Sequence, residues 1–174
     1  MKVKKLLIYS VSVGVLAGIV TLITNLLQGA GFIDASVGLT FVSFACWATY
    51  FLYGADPKSA VQAWCSMIVG IVAAVVIYEL TYAFAGMGWD VATLALPVAV
   101  VFGVILMCLG EKVPYANNVA AIFVGASLFF AVMQTPVYDN EAVGYVMTGI
   151  GVLAYGALGL LAGFLTVEIS KKTR

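Results

Sequence analysis

The segment MKVKKLLIYSVSVGVLAGIVTLITNLL, residues 1–27, decides the class of fold because its three lysines lead directly into an apolar run without charge. A helix that crosses a bilayer needs about 20 apolar residues, and residues 6–27 supply them. The run is longer than the apolar part of a secretory signal, and no small-residue cleavage site follows it. The segment therefore predicts a membrane-spanning helix that is retained.

Five more apolar runs follow in this chain of 174 residues, of which 64% are hydrophobic and 9% are charged. Such a composition cannot be divided between a core and a hydrated surface, so we expect a lipid bilayer around the protein. A β-barrel would show alternating polar and apolar residues, which these runs lack. We predict an all-α membrane protein that forms a single domain over residues 1–174. Its six transmembrane helices are expected at about residues 6–27, 37–53, 58–84, 91–109, 115–137 and 142–168.

The basic residues all stand next to the ends of apolar runs. With six crossings they fall on one side of the membrane, whereas the connections on the other side contain acidic residues but no Lys or Arg. Because basic connections stay in the cytoplasm, both chain ends are expected there, and the location is the inner membrane of a bacterium. The residues that fix this orientation are Lys2, Lys4, Lys5, Lys58, Lys112, Lys171, Lys172 and Arg174.

The connections between the runs carry cap residues. Ser36 and Asp90 precede two of the runs and are expected to cap helices two and four. Pro57 and Pro114 are expected in the first turns of helices three and five, where the missing N–H of proline is not needed. Each inner connection is therefore predicted to start a helix in the same way.

A weak internal repeat extends this similarity. GADPK at residues 54–58 leads to a Val-Gly pair at 69–70, and GEKVP at residues 110–114 leads to a second Val-Gly pair at 124–125. Both copies follow a run that contains a cysteine. The pattern predicts that helices two–three and four–five are parallel repeats of one hairpin.

Three segments carry a resemblance to a known family: FACWATYF at residues 44–51, Met107-Cys108, and IFVGA at residues 122–126. From residue 37 onward the chain resembles a family of short bacterial inner-membrane proteins that is catalogued as domain of unknown function 1097 (DUF1097). The resemblance implies a membrane fold and carries no activity with it.

The turn Asp56-Pro57-Lys58-Ser59 is similar to a turn of the amide channels and acid-activated urea channels, where it opens a helix that continues to a Val-Gly pair. Residues 114 to 125 reproduce that spacing. This resemblance implies a small channel that assembles as a ring. The chain contains no histidine, so the histidine gate of the urea channels is absent and acid activation is not implied.

Neutral polar residues recur at intervals of three or four along several runs, which places them on common helix faces. Such faces could line a narrow path that offers hydrogen bonds without fixed charge, as a small neutral solute requires. The alternative interpretation is helix packing, because Ser, Thr and Asn also pair between helices in membranes. Candidate pore-lining residues are Asn25, Thr40, Ser43, Trp47, Gln62, Asn117 and Asn118.

Glycines at small-xxx-small spacing let helix backbones approach closely. We therefore expect close helix contacts at the glycines of helices one, five and six. Self-association is also expected, with helix one or helix six as the seam of a homo-oligomer. Candidate helix-packing residues are Gly14, Gly18, Gly125, Gly159 and Gly163.

The residues that catalysis requires are missing, because the chain has no His, no carboxylate pair on a common helix face, no nucleophile elbow and no phosphate loop. Cys46, Cys65 and Cys108 lack CxxC spacing and are expected to pack rather than to bind a metal. No basic patch for nucleic acid is present. We therefore expect no enzyme, no cofactor and no nucleic-acid partner.

These patterns favour a channel or facilitative permease for a small neutral solute such as urea, a short amide or ammonia. One alternative is an ion-coupled small-molecule transporter that uses Glu79, the carboxylate closest to the interior of a run. A second alternative is a membrane interaction or scaffold subunit that transports nothing, in which the polar faces serve only packing.

Overall fold

The computed structural model describes residues 3–33, 38–134 and 140–173, and the regular structure within these ranges is helical. A π-helical turn, Val91–Ala95, precedes the fourth helix, and a 3-10 turn, Gly110–Lys112, follows it. The predicted all-α class is confirmed. The six α-helices of the described residues are α1 (Val3–Gly29), α2 (Thr40–Leu52), α3 (Pro57–Gly86), α4 (Leu96–Leu109), α5 (Val119–Met133) and α6 (Glu141–Thr173).

Four helical segments are long and apolar enough to cross a membrane: Val3–Gly29, Pro57–Gly86, Val91–Lys112 and Glu141–Thr173. The protein is therefore a helical membrane protein. The other two helices, α2 and α5, have 13 and 15 residues. At 1.5 Å per residue they are about 20 Å and 22 Å long, shorter than the hydrocarbon layer of about 30 Å. Six complete crossings and the cytoplasmic position of the chain ends stay predictions.

The fifth helix begins at Val119, four residues after the predicted start at 115. Tyr115 has a φ of +63°, in the left-handed region that ends regular helix. The cap is Asn118, whose side chain accepts a hydrogen bond of 3.1 Å from the backbone N–H of Ala121. Pro114 therefore lies in the preceding turn and does not start the helix as predicted. The predicted helix end at 137 and the predicted cap Ser36 lie outside the described residues.

Other boundaries differ by a few residues. α2 begins at Thr40 rather than 37, and α6 continues to Thr173 rather than 168. Two lysines lie in the last turn of α6, and Lys171 pairs with Glu168 at 2.6 Å. Positive charge near a helix C-terminus is favourable, and pairs three residues apart add to it. The π-helical turn lies just before Pro97, whose ring would crowd the preceding carbonyl in a regular α-helix.

The chain folds as two compact units. The first unit comprises Met1–Val61 and Thr135–Arg174, and so contains α1, α2 and α6. The second unit comprises Gln62–Gln134 and contains most of α3 together with α4 and α5.

In the first unit, α2 and α6 run parallel. The Ser43 hydroxyl donates to the Tyr155 carbonyl oxygen at 2.7 Å, and the Trp47 indole N–H donates to the Thr166 hydroxyl at 3.0 Å. Positions along both helices thus increase together.

The remaining helix of the first unit, α1, runs antiparallel to α6. The Tyr155 hydroxyl lies 3.4 Å from the Thr24 carbonyl oxygen, whereas Val20, one turn earlier on α1, packs in a buried cluster with Ala162, which lies further along α6.

In the second unit, α3 and α5 run parallel. Gly70 of α3 lies against the backbone of Ile122, and the rings of Tyr78 and Phe130 are 5.2 Å apart. Positions along α3 and α5 therefore also increase together.

The remaining helix of the second unit, α4, runs antiparallel to α3. Gly103 lies against the side chain of Ile77, and Gly110 lies against that of Val69. Each unit thus contains one short and one long helix in parallel, with a third helix running the other way.

Candidate functional site

The seven predicted lining residues fall in two sets, one in each unit. The first unit contains Asn25, Thr40, Ser43 and Trp47, and the second contains Gln62, Asn117 and Asn118. Within each set the structure brings side chains into hydrogen-bonding distance. The sets differ in burial and in what their polar groups bind.

Ser43 and Trp47 lie inside the α2–α6 contact. Both are buried, and their hydrogen bonds to Tyr155 and Thr166 join the two helices. The Thr166 hydroxyl in turn donates to the Ala162 carbonyl oxygen at 2.8 Å. In this structure the Ser43 hydroxyl and the Trp47 indole N–H are therefore used between helices, as polar side chains often are in membranes.

Thr40 and Asn25 lie where α1 ends and α2 begins. The hydroxyls of Thr40 and Thr24 are 2.7 Å apart, and Thr40 also lies 3.4 Å from the Asn25 side-chain oxygen. Thr24 is fully buried, whereas Asn25 is exposed. The end of α1 and the start of α2 thus form a polar contact, which includes the exposed amide of Asn25.

The second unit holds a pair of side-chain amides, Gln62 and Asn117, which we call the amide pair. The Gln62 amide nitrogen donates to the Asn117 side-chain oxygen. Gln62 is half-buried and Asn117 is exposed. The bond uses the NH2 group of Gln62 and the carbonyl of Asn117, so the Gln62 carbonyl and the Asn117 NH2 group remain for a ligand. The pair offers one acceptor and one donor without formal charge.

Local structure fixes the amide pair. Gln62 stands in the second turn of α3, and its backbone carbonyl accepts from the Ser66 hydroxyl at 2.8 Å. The same hydroxyl accepts from the backbone N–H of Asn118 at 3.1 Å, which joins α3 to the cap of α5. Asn117 is held next to that cap. Because α3 and α5 are parallel, the starts of both helices meet here.

Glycines lie at close backbone contacts in each unit. A methyl group at Gly70 would overlap the Ile122 carbonyl oxygen, and one at Gly125 would overlap Met67. In the first unit, Gly159 faces the Ser43 carbonyl oxygen and Gly163 faces the Tyr50 ring in the same way.

By contrast, no other helix of the described residues lies within 4 Å of the position of a Cβ atom at Gly14 or Gly18. The sequence prediction did not single out Gly70 or Gly103 for packing, although both are buried. The signal was present in the sequence, because each has a small residue four positions earlier: Ser66 for Gly70 and Ala99 for Gly103.

Among the described residues, carboxylates lie on the exposed surface of α3 and in the turns before α3 and α4. Glu79 is exposed on α3. The Ser59 hydroxyl donates to Asp56 at 2.5 Å and, with the Ser59 backbone N–H, lowers the pKa of that carboxyl below its usual value. Thr93 lowers the pKa of Asp90 by the same two kinds of bond, at 2.6 Å and 2.9 Å. Both aspartates cap the helices that follow them.

No three Cys, Asp or Glu side chains of residues 3–33, 38–134 and 140–173 lie together as a metal site would need.

The short helices α2 and α5 share one pattern of burial. Their first residues, Thr40 and Val119, are 79 positions apart, and each buried residue of α2 has a buried counterpart 79 positions later in α5. The buried residues of α2 are Val42, Ser43, Cys46, Trp47, Thr49 and Tyr50. Their counterparts are Ala121, Ile122, Gly125, Ala126, Leu128 and Phe129.

The long helices α3 and α6 share a second pattern, 89 positions apart, from Ala63 to Val152. Gly70 of α3 faces the carbonyl of one α5 residue and the N–H four residues later, and Gly159 of α6 faces the same pair of groups on α2. The buried residues of α3 are Ala63, Ser66, Met67, Gly70, Ile71, Ala73, Ala74, Ile77 and Thr81. The counterparts are Val152, Tyr155, Gly156, Gly159, Leu160, Ala162, Gly163 and Thr166, all buried, and the half-buried Ser170.

The remaining helices, α1 and α4, are related by the same offset of 79 positions as α2 and α5. Val20 and Thr24, the buried residues of α1, correspond 79 positions later to Ala99 and Gly103, which are buried in α4. The pattern of buried positions in each helix of the first unit therefore recurs in one helix of the second.

Comparison with known proteins places the chain in one family. No curated protein and no solved structure matches it. A family model described as "Protein of unknown function (DUF1097)" matches residues 10–170, which is nearly the whole chain. This match confirms the resemblance carried by residues 44–51, 107–108 and 122–126, and the protein therefore belongs to the DUF1097 family.

Proposed function

We propose that this protein is a channel or facilitative permease for a small neutral solute such as urea, a short amide or ammonia. The observation that carries the proposal is the amide pair of Gln62 and Asn117, which leaves one acceptor and one donor for a ligand. Urea and short amides present the complementary groups. Because the amide pair carries no charge, a neutral solute binds there without any ion having to lose its water.

The four candidates of the first unit have a different place in this proposal. Ser43 and Trp47 are buried between α2 and α6 and are assigned to packing. Asn25 and Thr40 lie at a helix end, where they could meet solute entering or leaving the membrane. Asn118 caps α5 and positions its neighbour Asn117.

We also infer a repeat of three helices, in which α1–α2–α3 corresponds to α4–α5–α6. The compact units then arise because the repeats exchange their third helices: α6 packs with α1 and α2, and α3 packs with α4 and α5. The hairpin repeat predicted from the sequence fits less well. It would pair α2 with α4, yet the buried residues of α4 recur every four positions, at Ala95, Ala99, Gly103 and Met107, which the pattern of α2 does not match.

A repeat with an odd number of helices enters the membrane from the opposite side the second time. Inverted repeats of this kind are typical of transporters and support a transport function. With six crossings, and with lysines on the cytoplasmic side, both chain ends lie in the cytoplasm of a bacterial cell. We propose this inner-membrane orientation and retain the homo-oligomer as part of the proposal.

The proposal is tested in proteoliposomes by following light scattering after a urea or acetamide gradient is imposed. The protein should accelerate solute flux. Replacing both Gln62 and Asn117 by Leu should lower the protein-dependent rate about tenfold, equivalent to two weak hydrogen bonds. Gln134→Leu is the matched control, because this exposed amide stands at the other end of α5. Rates equal to those of empty liposomes would remove the proposal.

The scaffold alternative is favoured by one observation, the hydrogen bonds that use the Ser43 and Trp47 donors between helices. A protein of that kind would leave the flux of every tested solute unchanged. The ion-coupled alternative requires Glu79, which is exposed and lies outside the amide pair. Glu79→Gln should abolish flux in an ion-coupled transporter and leave it unchanged in a neutral-solute channel.

A further inference from the structure

A groove of about 580 Å³ lies on the first unit, near the start of α1 and the ends of α2 and α6. Its volume falls in the range of about 300–1,000 Å³ that is typical of ligand pockets. We call it the α6 groove. The residues that line it are Tyr9, Phe51, Thr166, Val167, Ser170 and Lys171.

The α6 groove combines an apolar wall with a polar end. Phe51 and Val167 supply hydrocarbon from α2 and α6, and Phe51 is 45% exposed. Ser170 and Lys171 supply a hydroxyl and an ammonium group in the last turn of α6. A molecule that fits both parts has a hydrocarbon portion beside a polar group, which is the chemistry of a membrane lipid.

Lysines outnumber carboxylates at this end of the first unit, where Asp56 and Glu168 also lie close enough to act on Tyr50. Lys171 and Lys172 close α6, and Lys5 stands one turn before Tyr9 on the same face of α1. Lys171 already pairs with Glu168 at 2.6 Å. Since an ammonium group has three donors, that pair leaves Lys171 able to bind another oxygen.

The corresponding positions of the second unit carry different side chains. Counterparts of Val167 and Phe51 are Tyr78 and Phe130, whose rings contact each other at 5.2 Å. The counterpart of Lys171, 89 positions earlier, is Tyr82, which carries no positive charge. The lysine of the groove is therefore a feature of the first unit and not of the helical plan that the two units share.

We propose that the α6 groove binds one anionic phospholipid of the surrounding membrane, with its phosphate at Lys171 and Ser170 and an acyl chain along Phe51 and Val167. Basic pockets between transmembrane helices bind the headgroups of anionic lipids in this way. The site does not depend on which solute, if any, the protein transports.

The test uses purified full-length protein in mild detergent, to which phosphatidylglycerol or phosphatidylcholine with identical chains is added. Native mass spectrometry measures how much of each lipid is retained. Phosphatidylglycerol should be preferred, and Lys171→Gln should reduce that preference about fivefold, the effect of one lysine near an anionic surface. The Lys171 side chain is 66% exposed, so this change should not disturb packing. Lys112→Gln, a basic position of the second unit, should leave the preference unchanged.

A second variant tests the groove itself. Val167→Trp would fill it and should lower retention of phosphatidylglycerol while the protein keeps its elution profile. Equal retention of the two lipids by the unmodified protein, or an unchanged preference in Lys171→Gln, would overturn the proposal. If soluble glycerol phosphate were retained as well as phosphatidylglycerol, the groove would be a site for free anions, and this result would overturn the proposal as well.

Discussion

At the scale of single residues, glycine decides how closely the helices approach. Gly70 and Gly159 each stand opposite a backbone carbonyl oxygen of a parallel helix, with no room for a side chain. Close approach of this kind replaces the hydrophobic driving force that helices lack inside lipid, because packing and polar contacts carry helix association there. Replacing these glycines by alanine, which adds a single methyl group, is therefore the most informative test of the close contacts.

Gly70→Ala and Gly159→Ala should each lower the free energy of unfolding by about 1–3 kcal/mol, since the added methyl group forces backbones apart. Gly18→Ala is the matched control, because no atom of the part of the chain that the structure describes lies within 4 Å of its added Cβ. Alanine also favours helix by up to about 1 kcal/mol over glycine. Reversible denaturation in mixed detergent micelles measures these differences. Equal stability of Gly18→Ala and Gly70→Ala would contradict the close contact.

Small-xxx-small spacing identifies the pair Gly159 and Gly163, and it identifies Gly125 through Ala121. All three glycines lie at close contacts. The spacing could not separate them from Gly14 and Gly18, which share it. What separates them is the neighbouring helix, and the spacing within one helix does not contain that information. The amide pair shows the same limit, because Gln62 and Asn117 are 55 positions apart in the sequence and meet only through the parallel packing of α3 and α5.

At the scale of helices, the starts depend on caps more than on proline. Pro57 opens α3 because Asp56 precedes it and accepts from the backbone N–H groups of Lys58 and Ser59 at 2.9 Å and 3.0 Å. Pro114 has no such residue before it, and α5 begins only after its cap residue, Asn118. The sequence prediction relied on the prolines and therefore placed one start correctly and the other four residues too early.

The Asp56 cap predicts a dependence of stability on pH. Its pKa is lowered in the folded protein, first by the Ser59 hydroxyl and then by backbone N–H groups. The unfolded chain therefore binds the proton more readily, and the stabilisation, complete above the ordinary aspartate pKa, is lost as pH falls through the lower folded value. Asp56→Asn keeps a capping oxygen without charge and should flatten the fall in unfolding free energy between neutral and acidic pH.

Denaturant titrations of the Asp56→Asn protein and the unmodified protein at neutral and acidic pH compare the two slopes. Asp90→Asn removes the corresponding charge at the turn before α4 and should flatten the slope further when combined with Asp56→Asn. Identical slopes in all three proteins would mean that neither carboxyl is held below its usual pKa.

At the scale of the whole molecule, composition was enough to predict a helical membrane protein, since apolar runs of spanning length leave few other solutions. Pairing between helices was not predictable in the same way. Apolar faces in lipid look alike, so the sequence suggested a repeat of neighbouring hairpins, whereas the burial of α2 recurs in α5 and that of α3 in α6. The exchange of third helices that we propose would hide this relation from a comparison of adjacent segments.

The three-helix repeat that we propose makes a prediction about topology. Phe32 in the α1–α2 connection and Tyr115 in the α4–α5 connection occupy similar places in the two repeats, and both are exposed, by 46% and 83%. Inversion puts them on opposite sides of the membrane. After replacement of Cys46, Cys65 and Cys108, single cysteines at the two positions should react differently with a maleimide that cannot cross membranes. In intact spheroplasts Phe32→Cys should be labelled and Tyr115→Cys should react only after the membrane is opened.

A third cysteine provides the control for that experiment. Met87, in the α3–α4 connection, is 62% exposed and shares the outer side with Phe32 when all six helices cross. Met87→Cys should therefore be labelled in intact spheroplasts. Labelling of Phe32→Cys and Tyr115→Cys from the same side would mean that an even number of crossings separates them. The two repeats would then be parallel rather than inverted, and the short helices α2 and α5 would be the first candidates for segments that enter the membrane without crossing it.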